Sequence, residues 1–211
     1  MSTYRIKEIF YTLQGEGFHA GRPAVFCRFS LCNLWTGREQ DRHRAICGFC
    51  DTDFVGTDGT LGGVYPDADS LADTVLAEWP DSGPNPMVVC TGGEPLLQLD
   101  EALTDAFHRR GFYVAVETNG TQQPPHGIDW LCVSPKAGSV LVVEGGDELK
   151  LVHPQPGIDR DGLLALGFSR FTLQPLDDAA YAQNLAATIE LCLSDPRWSL
   201  SLQTHKMIGV R

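Results

Sequence analysis

The chain has 211 residues, 43% of them apolar and 20% charged, and a net charge of −11. The length suits one well-buried domain rather than two, and the composition excludes a disordered chain. The acidic balance excludes a broad electrostatic footprint for nucleic acid, so an anionic ligand has to be captured by a few local positive groups.

In chain order, the first residues, Met1-Ser2-Thr3-Tyr4-Arg5-Ile6-Lys7-Glu8, lack the apolar stretch of a signal peptide. No later run approaches the roughly 20 apolar residues that span a bilayer. A cytoplasmic protein without a membrane partner is expected. Residues 4–12 are rich in β-formers (Tyr4, Ile6, Ile9, Phe10, Tyr11) and predict a strand or hairpin arm. Leu13-Gln14-Gly15-Glu16-Gly17 breaks that pattern. Its glycines permit a tight turn or a close approach of backbone to a ligand, and Gln14 and Glu16 offer complementary hydrogen-bonding groups to a heterocycle. A plain hairpin turn with solvated polar side chains fits the same segment. Residues 23–30 read as a nearly continuous apolar strand of the buried, parallel kind. Arg28 interrupts it, and a guanidinium there must be ion-paired or must bind an anion.

Cys32 is followed, after a gap of fourteen residues, by Cys47-Gly48-Phe49-Cys50-Asp51-Thr52. Between them lies a polar excursion holding Arg38, Arg42, His43 and Arg44. Residues 56–69 are loop-like, and 70–79 have helical spacing with Asp69 or Ser70 as N-cap. The apolar strand 87–91 opens into Gly92-Gly93-Glu94-Pro95. A helix over 99–110 closes at Gly111. Strands follow at 112–120, 130–136, 148–152 and 170–176, with a short helix at 161–166. The helix 178–193 places Tyr181, Leu185, Ile189 and Cys192/Leu193 on one face. A last strand, 198–203, leads to Thr204-His205-Lys206 and a short tail.

Strands alternating with helices or loops imply an α/β protein with a mainly parallel sheet. Five strands end in small or polar residues: Ser30, Thr91, Glu117/Asn119, Ser134/Lys136 and Gln174. Ligands of parallel sheets bind at such carboxyl ends, so the candidate residues converge on the edge that carries the cysteines.

The seven cysteines are an odd number in a chain without an export signal, which argues against a disulfide framework. Cys27, Cys90, Cys132 and Cys192 lie in apolar segments and read as core residues. For Cys32, Cys47 and Cys50, a structural zinc ion would need a fourth ligand, such as His43 or His19, and usually a second close-spaced couple. The other reading is a [4Fe–4S] cluster, whose fourth iron three thiolates would leave open to a ligand that is not protein.

Three close cysteines after the first strand, Gly92-Gly93-Glu94-Pro95 after the second and an α/β continuation resemble the radical S-adenosylmethionine superfamily. The usual Cys-x3-Cys-x2-Cys spacing is here widened in its first gap. With Gln14-Gly15-Glu16-Gly17, Arg28 and Cys50-Asp51-Thr52 added, the pattern resembles the 7-carboxy-7-deazaguanine synthase family, some members of which carry a long first gap. The likeness runs from Tyr4 to the His205 region.

That resemblance implies a modified, incomplete (β/α) barrel over residues 1–211, with 34–46 an insertion in the cluster loop. Cys32, Cys47 and Cys50 would ligate the cluster. S-adenosylmethionine would be held by Phe49, Asp51, Gly92, Gly93, Glu94, Glu117, Asn119, Ser134, Pro135, Lys136 and Gln174. The substrate would lie against Leu13, Gln14, Gly15, Glu16, Arg28 and Thr91, with His205 and Arg211 closing the pocket. Thr52 would be the protein ligand of a Mg2+ ion that keeps several waters.

The implied reaction is that of a lyase in queuosine-precursor biosynthesis. A 5′-deoxyadenosyl radical, made by one-electron reduction of the bound cofactor, takes hydrogen from C6 of 6-carboxy-5,6,7,8-tetrahydropterin. Ring contraction with loss of ammonia gives 7-carboxy-7-deazaguanine. Implied partners are the pterin, an electron donor such as flavodoxin or ferredoxin, and a second copy in a homodimer. A glycyl-radical activase and a non-enzymatic zinc-binding protein are the alternatives; the Gln-Gly-Glu-Gly turn and Arg28 favour a small heterocycle over the first, and the brown colour of an anaerobically purified cluster protein separates it from the second.

Overall fold

The computed structural model describes residues 3–80 and 83–211. Among these residues the strands are β1 (Tyr4–Leu13), β2 (Pro23–Phe29), β3 (Gly63–Tyr65), β4 (Met87–Gly92), β5 (Tyr113–Thr118), β6 (Trp130–Val133), β7 (Gly145–His153), β8 (Gly167–Pro175) and β9 (Ser199–Leu200). They form one sheet in the order β3-β1-β2-β4-β5-β6-β7-β8-β9, parallel from β2 onward, with β1 antiparallel to both β2 and β3. The order is linear, so the sheet curls without closing. This is the incomplete barrel expected from the sequence.

Alternation along the strands sorts residues between two faces. Val25, Cys27 and Phe29 of β2, Val88 and Cys90 of β4, Val114 and Val116 of β5, and Leu149 and Leu151 of β7 form the outer face. There they pack against Leu71 and Val75 of helix α1 (Ala68–Ala77) and Leu103, Ala106 and Phe107 of α2 (Glu101–Arg109). Each large apolar side chain buried this way contributes about 1.5–3 kcal/mol, so the outer face carries most of the fold's stability. Cys27 and Cys90 belong to it as expected.

The inner face is layered. Ala24, Met87, Val89 and Ala115, with Phe26 and Trp130 against them, make an apolar base. One step nearer the carboxyl ends, the same alternation delivers Arg28, Thr91, Glu117, Cys132, Lys150 and Gln174 into the concavity. Cys132 is therefore buried but faces the cavity, not the core assigned to it from its apolar neighbours. The register between β1 and β2 shifts between Ile6 and Glu8. This bulge, a one-residue irregularity that re-aims side chains, lets Ile6 enter the outer core while Glu8 turns inward to face Arg28.

Several boundaries differ from the sequence reading. Helix α1 is capped by Asp67, whose carboxylate accepts from the Ser70 amide at 2.8 Å, and not by Asp69 or Ser70. Helix α2 begins at Glu101 because Asp100 caps it. After the short helix α3 (Arg160–Leu164) comes α4 (Tyr181–Ser194), which departs most. It buries Asn184 and Thr188, while Ile189 and Leu193 of the expected apolar face are 39% and 81% exposed. Docking is set by hydrogen bonds: the Asn184 amide donates to Leu176 O and to Asp178 Oδ1, both at 2.9 Å. The last strand shortens to β9, and the chain turns instead into helix α5 (Thr204–Ile208), whose residues return to the pocket.

Candidate active site

A cavity of about 370 Å3 opens over the carboxyl ends of the parallel strands. Every residue expected at the site lines it except Glu94 and Pro135. Glu94 is fully buried and does not line the cavity itself. One carboxylate oxygen accepts from the Leu96 amide (2.9 Å) and the Thr118 hydroxyl (2.7 Å), the other from the Asn119 amide (2.8 Å). It ties the end of β4 to that of β5, and three donors offset the cost of burying a charge. Pro135 offers only its carbonyl, to the Gln155 amide at 3.3 Å.

The three thiols share one wall of the cavity, and none is in a disulfide. Cys47 and Cys50 share a hydrogen bond that pulls the Cys50 thiol down to about 6 and pushes Cys47 up, while Cys32 lies within electrostatic reach of both. Among the described residues, no three His, Cys, Asp or Glu side chains stand close enough together for a single metal ion.

Arg42, from the polar excursion, braces this loop. Its Nη1 donates to Gly48 O (2.9 Å) and Cys50 O (3.0 Å), its Nε pairs with Glu39 (2.7 Å), and its guanidinium lies 4.2 Å from the ring centroid of buried Trp35. No sequence signal distinguished Arg42 from Arg38 or Arg44.

Against the cysteine loop, Gly92 and Gly93 bring bare backbone to the cavity. A Cβ on Gly93 would meet Leu31 O at 2.0 Å and Cys32 Cβ at 3.0 Å, so the cysteine loop can approach only because that side chain is missing. Gly92, at φ 130°, adopts a conformation that L side chains rarely reach. Lys136 is half-buried and donates to Ser134 O (2.6 Å) and Ser134 Oγ (2.7 Å), with no carboxylate among the described residues in ion-pair contact. Burial lowers its pKa, only partly offset by the neighbouring thiols. A half-buried cation without a carboxylate partner is a receptor for an anion.

The floor is made by the loop after β1. Gln14 Nε2 donates to Glu117 Oε1 at 2.9 Å, and Lys150 Nζ lies 2.5 Å from Glu16 Oε2 and 3.6 Å from Glu117 Oε2. Glu117 thus stands with Gln14 and Glu16 on the floor. Burial raises the Glu16 pKa, but the Lys150 charge outweighs it and holds the carboxyl low. Lys150 was missed because a lone lysine in an apolar strand carries no motif.

At the rim, Arg28 Nε donates to Glu8 at 2.9 Å, which leaves the terminal amino groups of the fork for a ligand. Arg211 also reaches Glu8 and lies 4.3 Å over the Phe10 ring, while Thr12 donates to the Arg211 carbonyl at 3.0 Å. His205 packs so closely on Gly15 that a Cβ there would overlap its ring. Lys206 joins Asp51 (2.7 Å) to Asp177 (2.6 Å), and burial of the Asp51 carboxyl is outweighed by this partner, which lowers its pKa. The carboxyl-terminal helix and tail thus close one side of the pocket.

No family model matches the chain. Over 99% of its length it is 60% identical to a 7-carboxy-7-deazaguanine synthase of Bradyrhizobium diazoefficiens, all of which is covered. A protein of the same name from Burkholderia multivorans is 54% identical over 99% of each chain. Among solved structures the fold is similar to QueE from Escherichia coli, with a TM-score of 0.67 and 27% identity over 95% of this chain and 93% of that one.

Proposed function

This chain belongs to the 7-carboxy-7-deazaguanine synthase family, radical S-adenosylmethionine lyases of queuosine-precursor biosynthesis, and we propose the following division of labour among its residues. The reaction is conversion of 6-carboxy-5,6,7,8-tetrahydropterin to 7-carboxy-7-deazaguanine with release of ammonia. The observation that carries this reading is the single cavity that joins three thiols, a bare Gly-Gly edge and a polar floor.

Cys32, Cys47 and Cys50 would hold a [4Fe–4S] cluster. The cluster and S-adenosylmethionine, when bound, supply the radical that abstracts hydrogen. Gly92 and Gly93 admit the methionine backbone groups, and Lys136, lacking a carboxylate partner, takes its carboxylate. Gln14, Glu16 and Glu117 grip the polar edge of the pterin, Arg28 pairs with its carboxylate, and Thr91 adds a hydroxyl. His205 and Arg211 exclude water from the closed side. Thr52 lines the cavity beside Asp51, which supports a Mg2+ ion held by one hydroxyl, waters and substrate.

Residues 1–211 act as one domain, with 34–46 an insertion in the cluster loop. We read the protein as a cytoplasmic homodimer reduced by flavodoxin or ferredoxin. Among the described residues no helix is long and apolar enough to cross a membrane, and Ile189 and Leu193, exposed on α4, support a second copy as partner.

The test is anaerobic reconstitution with iron and sulfide, followed by incubation with reductant, S-adenosylmethionine and the carboxy-tetrahydropterin. 7-Carboxy-7-deazaguanine is expected. Its absence from protein that carries a full cluster overturns the assignment.

A further inference from the structure

Glu16 and Glu117 stand together on the pocket floor, and both reach the same ammonium, that of Lys150 (2.5 Å and 3.6 Å). Lys150 is 5% exposed and sits on β7 two residues after Glu148, so both side chains point to the inner face. The groups that face it are Glu16 from the loop after β1, Glu117 of β5, Cys132 of β6 and Glu148 of β7. Lys136, beyond β6, is the nearest like charge in the cavity. Glu148 is already engaged, by the Phe18 amide (3.0 Å) and the Thr172 hydroxyl (2.8 Å). Below this layer lies a second small cavity, shared by Glu148 and Lys150 with His19, whose Nε2 is buried without a partner. The floor is thus a single ion-paired sheet of side chains between two cavities, and Lys150 is the cation at its centre.

We propose that Lys150 is the positioning residue that sets substrate selectivity, by holding Glu16 and Glu117 side by side as two acceptors for the N–H donors of an aminopyrimidinone ring. This rests on the reading of the cavity as a pterin site. Two carboxylates sharing one buried space repel, and without an intervening cation one of them binds a proton. A protonated carboxyl presents a donor where the ring also presents a donor, and the pairing is lost. With Lys150 in place the floor accepts only. It therefore rejects a ring that carries an oxygen acceptor in place of the 2-amino group, because a site built to bond an N–H leaves buried groups unpaired against such an analogue.

The variant is Lys150→Met, with Lys150→Arg as the conservative partner, both as cluster-loaded protein. For wild type, kcat/KM is expected to stay high into mild acid, since Lys150 holds the Glu16 carboxyl below its ordinary range. In Lys150→Met that hold is lost, so the acid limb of kcat/KM moves to higher pH by about one unit or more. KM rises roughly 10- to 100-fold while kcat falls less. A second measurement needs no turnover: equilibrium binding of fluorescent 6-carboxypterin and of its 2-oxo (lumazine) counterpart, with S-adenosylmethionine but no reductant. The preference for the 2-amino ring is expected to fall about tenfold or more in Lys150→Met and to return in Lys150→Arg.

If Lys150→Met does not fold, Glu117→Gln with Lys150→Met removes a carboxylate together with the cation. A smaller upward move of the acid limb is then expected, from burial of Glu16 without its cation. An acid limb and a ring preference unchanged from wild type in the folded neutral variant overturn the proposal. Absence of product from cluster-loaded wild type instead overturns the functional reading on which it rests.

Discussion

The cysteine wall and the pocket floor face each other across one cavity and handle charge in opposite ways. On the floor, Glu16 and Glu117 share an internal cation, Lys150. On the wall, the half-buried Lys136 stands among three thiols without a carboxylate in ion-pair contact, and Arg42 gives its donors to loop carbonyls instead of sulfurs. The difference teaches where ligands bring charge. A wall whose cation lacks a carboxylate partner is built to receive charged groups, whereas a floor that holds its carboxylates on its own cation is built to read hydrogen bonds. The cost of burying unpaired charge makes the first arrangement tolerable only where a ligand completes it.

The largest expected effect falls on the wall. Cys47→Ala should lose cluster iron and product formation together, activity dropping by more than ~100-fold, since even partners behind the ligands are worth 10–100-fold. Iron analysis alongside product assay decides it, and a full cluster retained in that variant would break the contrast by removing Cys47 from the ligand set. Arg28→Lys replaces a fork by a point charge next to Glu8. KM should rise about 10- to 100-fold with little loss of iron, a separation that steady-state kinetics and iron content read directly.

Arg42→Ala sharpens the comparison from the other side, because it touches the wall without touching a sulfur. Loss of two charged hydrogen bonds to the loop should weaken cluster retention about tenfold, seen as faster iron release to a chelator at unchanged KM. The smallest effect is expected for Cys132→Ala, a thiol of the same cavity on the floor side. Iron content should stay at the wild-type level and stability should fall by only about 1 kcal/mol. Loss of iron there would erase the distinction between the two regions.

Much of the site was legible in the sequence because its parts are local. Cys-x-x-Cys, Gly-Gly-Glu-Pro and the polar strand ends are short motifs whose geometry follows from a turn, a missing Cβ or a strand terminus. Glu94 shows where that reading stops: its motif was correctly placed, yet three backbone and hydroxyl donors draw its carboxylate under the wall. Helix α4 shows the same limit for packing. Tyr181, Leu185 and Cys192 of the expected apolar face are partly buried, but the Asn184 bonds to the preceding loop go with a docking that leaves Ile189 and Leu193 in solvent.

The sequence by itself determined most of the strand and helix order, though not β3 or α5, together with the mainly parallel sheet and the family. Periodicity and motif chemistry are properties of neighbours along the chain. Only the tertiary structure decided which carboxylates share a cation, which arginine braces the cysteine loop and how the tail shuts the pocket. Lys150 and Glu16 are far apart in sequence, as are Glu8 and Arg211. The chain bends them into contact through sheet register and a bulge, and no local pattern records such a meeting. The wall was therefore readable residue by residue, whereas the floor exists only once the sheet brings residues of β5, β7 and the loop after β1 into one concavity.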